Sequence, residues 1–220
     1  MPGLQKETFD FLVNLSKNNN REWFQVNRSS YEQAIADFQQ FIFSLIAGIS
    51  HFDKSIGALE PRDCIFRIYR DVRFSANKNP YKENFGAFIA PGGRKSNSCG
   101  YYIHIQPGGS FASGGLYMAP ALVMKAVRLA MVDNRSEFLS IISNHKFKST
   151  FTWEGVDHLK RIPTGFQSDS ELDLFLRLKH ITPSCDFPDD KLVHPEFDLK
   201  VVEVFETLSP LIKFLNQAIQ

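Results

Sequence analysis

Between Cys64 and Tyr117 the sequence falls into four short runs, CIFRIY, NFGAFIA, CGYYIHIQ and SFASGGLY. Each is rich in aromatic and β-branched residues and is bounded by glycine or proline, the pattern of short strands joined by turns. PGGRKSNSCG (91–100) reads as the loop between two adjacent strands, and PGGS (107–110) as a tight turn. Parallel neighbours need a crossover of about a dozen residues or more, so hairpin connections of this length predict antiparallel pairing.

Helical patterns stand on both sides. Phe9, Leu12 and Val13 predict a first helix over 5–17, and Asn20 is placed to cap the next. Trp23, Tyr31, Phe38, Ile42, Leu45 and Ile49 continue that second helix at a period of about 3.6 residues, with a bend expected near Ser29 and Ser30. After Pro120, the apolar face of Val123, Ala126, Val127 and Ala130 marks a further helix. Asn134 with Glu137 resembles a capping pair for a helix reaching Asn144. A short helix is expected over 170–178, and a last one from Glu196 in which Pro210 makes a kink or a new start. The expected architecture is α+β: an antiparallel sheet of four or more strands packed with N-terminal and C-terminal helices. It is read as one domain over 1–220, with helices at 5–50, the sheet at 62–118 and a helical region at 120–220.

Twenty-one phenylalanines supply a large apolar core, and a net charge of +1 lacks the footprint of a general nucleic-acid binder. The 3 cysteines are scattered, without a Cys-x-x-Cys pair, which fits a reducing compartment. The longest apolar run, FIFSLIAGI (41–49), is too short to span a bilayer. With no signal-peptide pattern at the N-terminus, these features predict a cytoplasmic protein with no membrane partner.

Against that neutral background, RIYRDVRFSANKNPYKENFG (67–86) concentrates positive charge. From Arg62 to Lys95 there are 8 cations against the three carboxylates of Asp63, Asp71 and Glu83. An extended CIFRIYRDVRF puts Phe66, Ile68, Val72 and Phe74 on one face with Arg70 among them, and Arg67, Tyr69, Asp71 and Arg73 on the other. A guanidinium under apolar cover needs a partner, so either Arg70 has one or the strand ends before it. Tyr102, His104 and Gln106 alternate away from Tyr101, Ile103 and Ile105, and Gly86 leaves room above the sheet. The expected floor is lined by Arg67, Arg73, Tyr102 and His104, with Lys78 and Tyr81 on the following loop. Guanidinium forks suit a carboxylate or phosphate. The competing reading is that Arg and Asp simply tie a loop to a sheet.

The spacing Arg67-x-x-Arg70-Asp71-x-Arg73-Phe74-x-x-x-Asn77-Lys78-x-x-Tyr81 is similar to the defining motif of a bacterial and fungal family, domain of unknown function 2461. In that pattern the place of Asn77 takes Asp or Asn. NNxREWF (Asn18 to Phe24), YYIHIQPGG and GGLYMAP also resemble the family, so the likeness runs from Asn18 to Lys179. The resemblance implies a shared fold and a common site at the motif. It carries over no activity, substrate or cofactor. Glu22 and Asp71 become candidate acid–base or arginine-orienting carboxylates.

The histidines lack zinc-pair spacing and no HExxH occurs, so no metal is expected; HPEFD (194–198) reads as a loop into the last helix. SFASGGLYMAP runs from a strand towards a helix, where free amides could hold an anion, but it has no phosphate-loop lysine. The leading expectation is a small phosphate- or carboxylate-bearing ligand. Arg67, Arg70, Arg73 and Lys78 bind it, Tyr81 and Tyr102 donate hydrogen bonds, Asp71 orients the guanidinium groups, and Glu22 or His104 carries the proton in any reaction. The runner-up is a non-enzymatic protein-interaction module with the motif as a structural clamp. Nucleic-acid binding is third.

Overall fold

The computed structural model describes residues 3–219. Helices α1 (Lys6–Lys17), α2 (Arg21–Val26), α3 (Arg28–Phe52) and α4 (Pro61–Cys64) lead into strands β1 (Phe85–Ile89), β2 (Gly100–Ile105) and β3 (Ser110–Gly115). Helices α5 (Ala121–Asp133), α6 (Arg135–Ser143), α7 (His145–Thr150) and α8 (Asp173–Arg177) follow, then β4 (Ser184–Phe187), α9 (Asp189–Leu192) and α10 (Phe197–Ala218). The sheet is antiparallel throughout in the order β1-β2-β3-β4, with Phe85 opposite Ile105, Ile103 opposite Ala112, and Ser110 opposite Phe187. The fold is therefore α+β, with helices before and after the sheet.

Alternation puts Phe85, Ala87 and Ile89 of β1 on the same face as Tyr101, Ile103 and Ile105 of β2, and all six are buried. Two long helices cover that face. Phe38 of α3 stacks on Phe85 with ring centroids 5.2 Å apart, and Phe205 of α10 lies 5.3 Å from Tyr101. Each large side chain removed from water in this way contributes about 1.5–3 kcal/mol. Gly114 lets α10 approach β3, since a Cβ there would sit 2.7 Å from Leu208 Cδ2. The Tyr101 hydroxyl crosses the core to donate to Asp53 Oδ2 at 2.8 Å. Asp53 Oδ1 accepts from the Ser55 amide at 3.0 Å and thereby caps the turn after α3. Burial, with the Asp53 carboxylate beside it, holds the phenol far above its ordinary pKa.

The structure departs from the expected elements at four places. CIFRIY is not a strand: Pro61 at the first turn draws residues 61–64 into α4, and only Ile65 and Tyr69 make isolated bridges, to Ala87 and Tyr81. The fourth strand is instead Ser184–Phe187, a short polar edge with one buried side chain, Phe187. The expected bend at Ser29 is a break at Asn27, between α2 and α3. Asn134 makes no cap; its amide donates to the Ala130 carbonyl at 3.3 Å. Of the two alternatives for Pro210, the new start is overturned, because α10 runs through it. Asn20 does cap α2, accepting from the Trp23 amide at 2.9 Å.

Tyr101→Phe strands one oxygen of a buried carboxylate, so it is expected to lower the unfolding free energy by about 1–3 kcal/mol. The measurement is the urea midpoint, which should fall at unchanged slope.

Candidate functional site

The arginine-rich segment is a closed loop rather than a strand. At its base the Lys82 amide donates to the Ile68 carbonyl at 2.7 Å and the Arg70 amide to the Pro80 carbonyl at 2.9 Å. Arg70 then spends its guanidinium on the loop itself, donating to the Asn79 carbonyl at 3.0 Å and to Ser75 Oγ at 3.3 Å. Lys78 Nζ donates to the Val72 carbonyl at 3.1 Å. Arg73 forks onto Asp71 at 3.0 and 2.7 Å, an exposed pair in which the guanidinium holds the Asp71 carboxyl below its ordinary range. Both conditions set for Arg70 are thus met: pairing with Tyr81 ends at Tyr69, and the guanidinium has acceptors. Because alternation stops there, Phe74 is not a core residue but stands 95% exposed near the loop tip, with the Arg73 guanidinium 5.9 Å from its ring centroid.

The base of the loop is pinned to the N-terminal helices. Asn19 Nδ2 donates to the Tyr81 carbonyl at 3.1 Å, and the Tyr81 amide donates back to Asn19 Oδ1 at 3.2 Å. The Tyr81 ring stacks on Phe24 of α2 at 3.9 Å, so it is held flat and buried. Glu22, also on α2, is exposed, and no hydrogen bond or ion pair among the described residues joins it to the motif.

On the outer face of the sheet, Tyr102, His104 and Gln106 form a hydrogen-bonded row. Tyr102 Oη lies 2.9 Å from His104 Nδ1, and His104 Nε2 lies 2.9 Å from Gln106 Oε1. Gln106 Oε1 can only accept, which assigns the imidazole proton to Nε2 and makes Nδ1 the acceptor for the Tyr102 hydroxyl. The imidazole stacks on Phe111 of β3 at 4.8 Å. Burial first, and Lys82 after it, lower the His104 pKa against the opposing effect of Gln106. Burial pushes the Tyr102 phenol up to about 12. The room expected above Gly86 is filled by this tyrosine, since a Cβ on Gly86 would sit 2.8 Å from the hydroxyl.

Two cations between loop and sheet are uncommitted. Lys82 is half-buried, with Nζ 5.4 Å from the Phe66 ring centroid. Among the described residues it has no carboxylate partner, and burial followed by the charge of Arg67 lowers its pKa. Arg67 is exposed and likewise has no ion pair among the described residues. The neighbouring carboxylate of Glu83 is turned away, towards Asn19 at 3.0 Å and Asn79 at 3.3 Å. Lys82 belongs to the charge excess of 62–95, but residue types alone do not place it in the site. What marks it is burial without an acceptor, which needs coordinates. Two open hollows of about 360 and 410 Å³ lie on helical parts of the surface, and no motif residue lines either. Burial lifts the thiols of Cys64 and Cys99 to about 11 and about 12, which keeps both protonated at neutral pH.

The chain belongs to the family described as conserved hypothetical protein, domain of unknown function 2461, whose model matches residues 7–214. No curated protein and no solved structure matches it. Among the described residues, no helix is long and apolar enough to cross a membrane.

Arg70→Ala is expected to open the loop, seen as faster hydrogen exchange at the Arg70 and Lys82 amides. Arg73→Ala, which removes only a solvent-screened pair, should leave both exchange rates and the melting temperature unchanged. A separate expectation concerns pH. The folded His104 pKa lies below the ordinary 6.5, so as pH falls the unfolded chain takes up the proton first. Its contribution to stability is complete above pH 6.5 and is lost as pH drops from there towards the folded value. Melting curves between about pH 7 and pH 5 should therefore fall more steeply for the native chain than for His104→Gln.

Proposed function

We propose that the protein binds a small oxyanion, a phosphate or carboxylate group, between Arg67 and Lys82 at the junction of loop and sheet. One observation carries this reading: Lys82 is half-buried without a carboxylate partner, its pKa lowered by burial first and by the Arg67 charge second, and no ion pair among the described residues neutralises either cation. An oxyanion between them would supply the missing acceptors and relieve the repulsion, and a guanidinium fork matches such a group. The backbone bond from Lys82 to Ile68 sets the spacing, because it ties Lys82 directly across from the residue after Arg67. Arg70 and Lys78 contribute by keeping the loop in shape, while Arg73 and Asp71 form an exposed pair of their own. Tyr102 and a neutral His104 form a polar floor from which a proton can be exchanged with a bound group.

A second reading, a protein-interaction module with the motif as a clamp, draws on the bonds internal to the loop and on the exposed Phe74. It expects no response to anions.

The test is thermal stabilisation by inorganic phosphate and by succinate, each compared with chloride at equal ionic strength. Arg67→Ala and Lys82→Met should each weaken phosphate binding at least about tenfold, the factor carried by losing one charge-assisted hydrogen bond of about 1.5 kcal/mol. Arg73→Ala should not change it. A folded native chain that gains nothing from either anion favours the interaction module.

A further inference from the structure

Exposed apolar side chains gather in one stretch of the chain that leads into and along α5. Tyr117, Met118, Leu122, Leu129 and Val132 are all exposed, Leu122 by 81%. On a helix of about 3.6 residues per turn, Leu122, Lys125, Leu129 and Val132 share one side. Met124, Val127, Arg128 and Met131 form the buried side.

The stripe is held outward. The buried Arg128 guanidinium donates to the carbonyls of Leu176 and Leu178, both at 2.8 Å, so α5 cannot roll without stranding a charge. Before the helix, the Met118 amide donates to His180 Nδ1 at 3.0 Å. Met118 has φ 50°, the one non-glycine residue with positive φ among those described, and its side chain projects into solvent. The Tyr117 ring lies 4.8 Å from that of His180. Hydrogen bonds from Met118 and Arg128 therefore hold the stripe to the segment around α8.

The charges on this face are self-complementary. Lys125 lies on the stripe and Asp133 at its end, and neither has an ion pair among the described residues. A two-fold axis that crosses two antiparallel copies of α5 at Leu129 sets each Leu129 against its own copy. The same axis puts Lys125 of each chain opposite Asp133 of the other, so both unpaired charges find partners twice. Lys125 is the one basic residue on the stripe and Asp133 offsets it, whereas an anionic lipid surface is met with several lysines or arginines. We propose that the protein forms a two-fold dimer through the outer face of α5. This does not depend on the oxyanion site.

Sedimentation of the full chain tests it. The native protein should show a concentration-dependent mass approaching twice 25.1 kDa. Leu129→Glu should sediment as a monomer with an unchanged circular dichroism spectrum, since the residue is exposed. Lys125→Glu should weaken dimerisation about tenfold, because the symmetry repeats the repulsion. Lys125→Glu combined with Asp133→Lys should restore the native affinity. A native chain that stays monomeric at its highest soluble concentration overturns the proposal, as does a dimer that survives Leu129→Glu. A double variant no tighter than Lys125→Glu alone overturns the antiparallel register.

Discussion

A sheet with one face sealed by helices has only the other face on which to carry polar side chains. Here α3 and α10 provide the seal, and Gly114 lets α10 lie almost against the backbone of β3. The burial of Tyr101, Ile103 and Ile105 and the outward row of Tyr102, His104 and Gln106 are therefore two results of the same packing. A slip of one residue in β2 would bury an imidazole and expose three apolar residues. The Tyr101–Asp53 bond guards against that slip, because only one register brings the phenol to the carboxylate at the end of α3.

The loop solves a different problem with similar means. Several cations crowd into one turn of chain and would repel one another in an open conformation. Carbonyl groups absorb Arg70 and Lys78, and Asp71 absorbs Arg73. Of the loop's cations, Arg67 and Lys82 alone are left without a hydrogen-bond acceptor among the described residues, at the rim where the loop meets the sheet. The crowding of like charge thus has two outcomes, a turn closed by its own hydrogen bonds and two cations left without acceptors.

Periodicity made much of this legible. The alternation in CGYYIHIQ assigns Tyr101 to Ile105 of β2 to their correct faces, and the Gly-rich connections imply antiparallel order. Asn20 was recognisable as a cap from its position alone. The errors fall where local and tertiary preferences compete. CIFRIY has strand composition, yet Pro61 started a helix that consumed its first residue, and the loop bonds withdrew the rest. SCDF is too short and polar to signal a strand, and it becomes one because β3 offers an unpaired edge. Arg70 announced a need for a partner, but that the partner is a backbone carbonyl nine residues on follows from the closed loop and cannot be read from residue types. Lys82 looked like one cation among eight for the same reason: its lack of an acceptor is a property of its surroundings.

The double hydrogen bond between Asn19 and Tyr81, with the Phe24 ring laid on the tyrosine, splices α2 to the foot of the loop. The residue next to Phe24 is Trp23, whose indole lies 6.0 Å from the Phe11 ring. A fluorophore that the chain already owns thus sits one residue from the ring that packs on the foot of the loop. With Trp153 replaced by Phe, the Trp23 emission stands alone and reports the packing around Phe11 and Phe24 with no label attached.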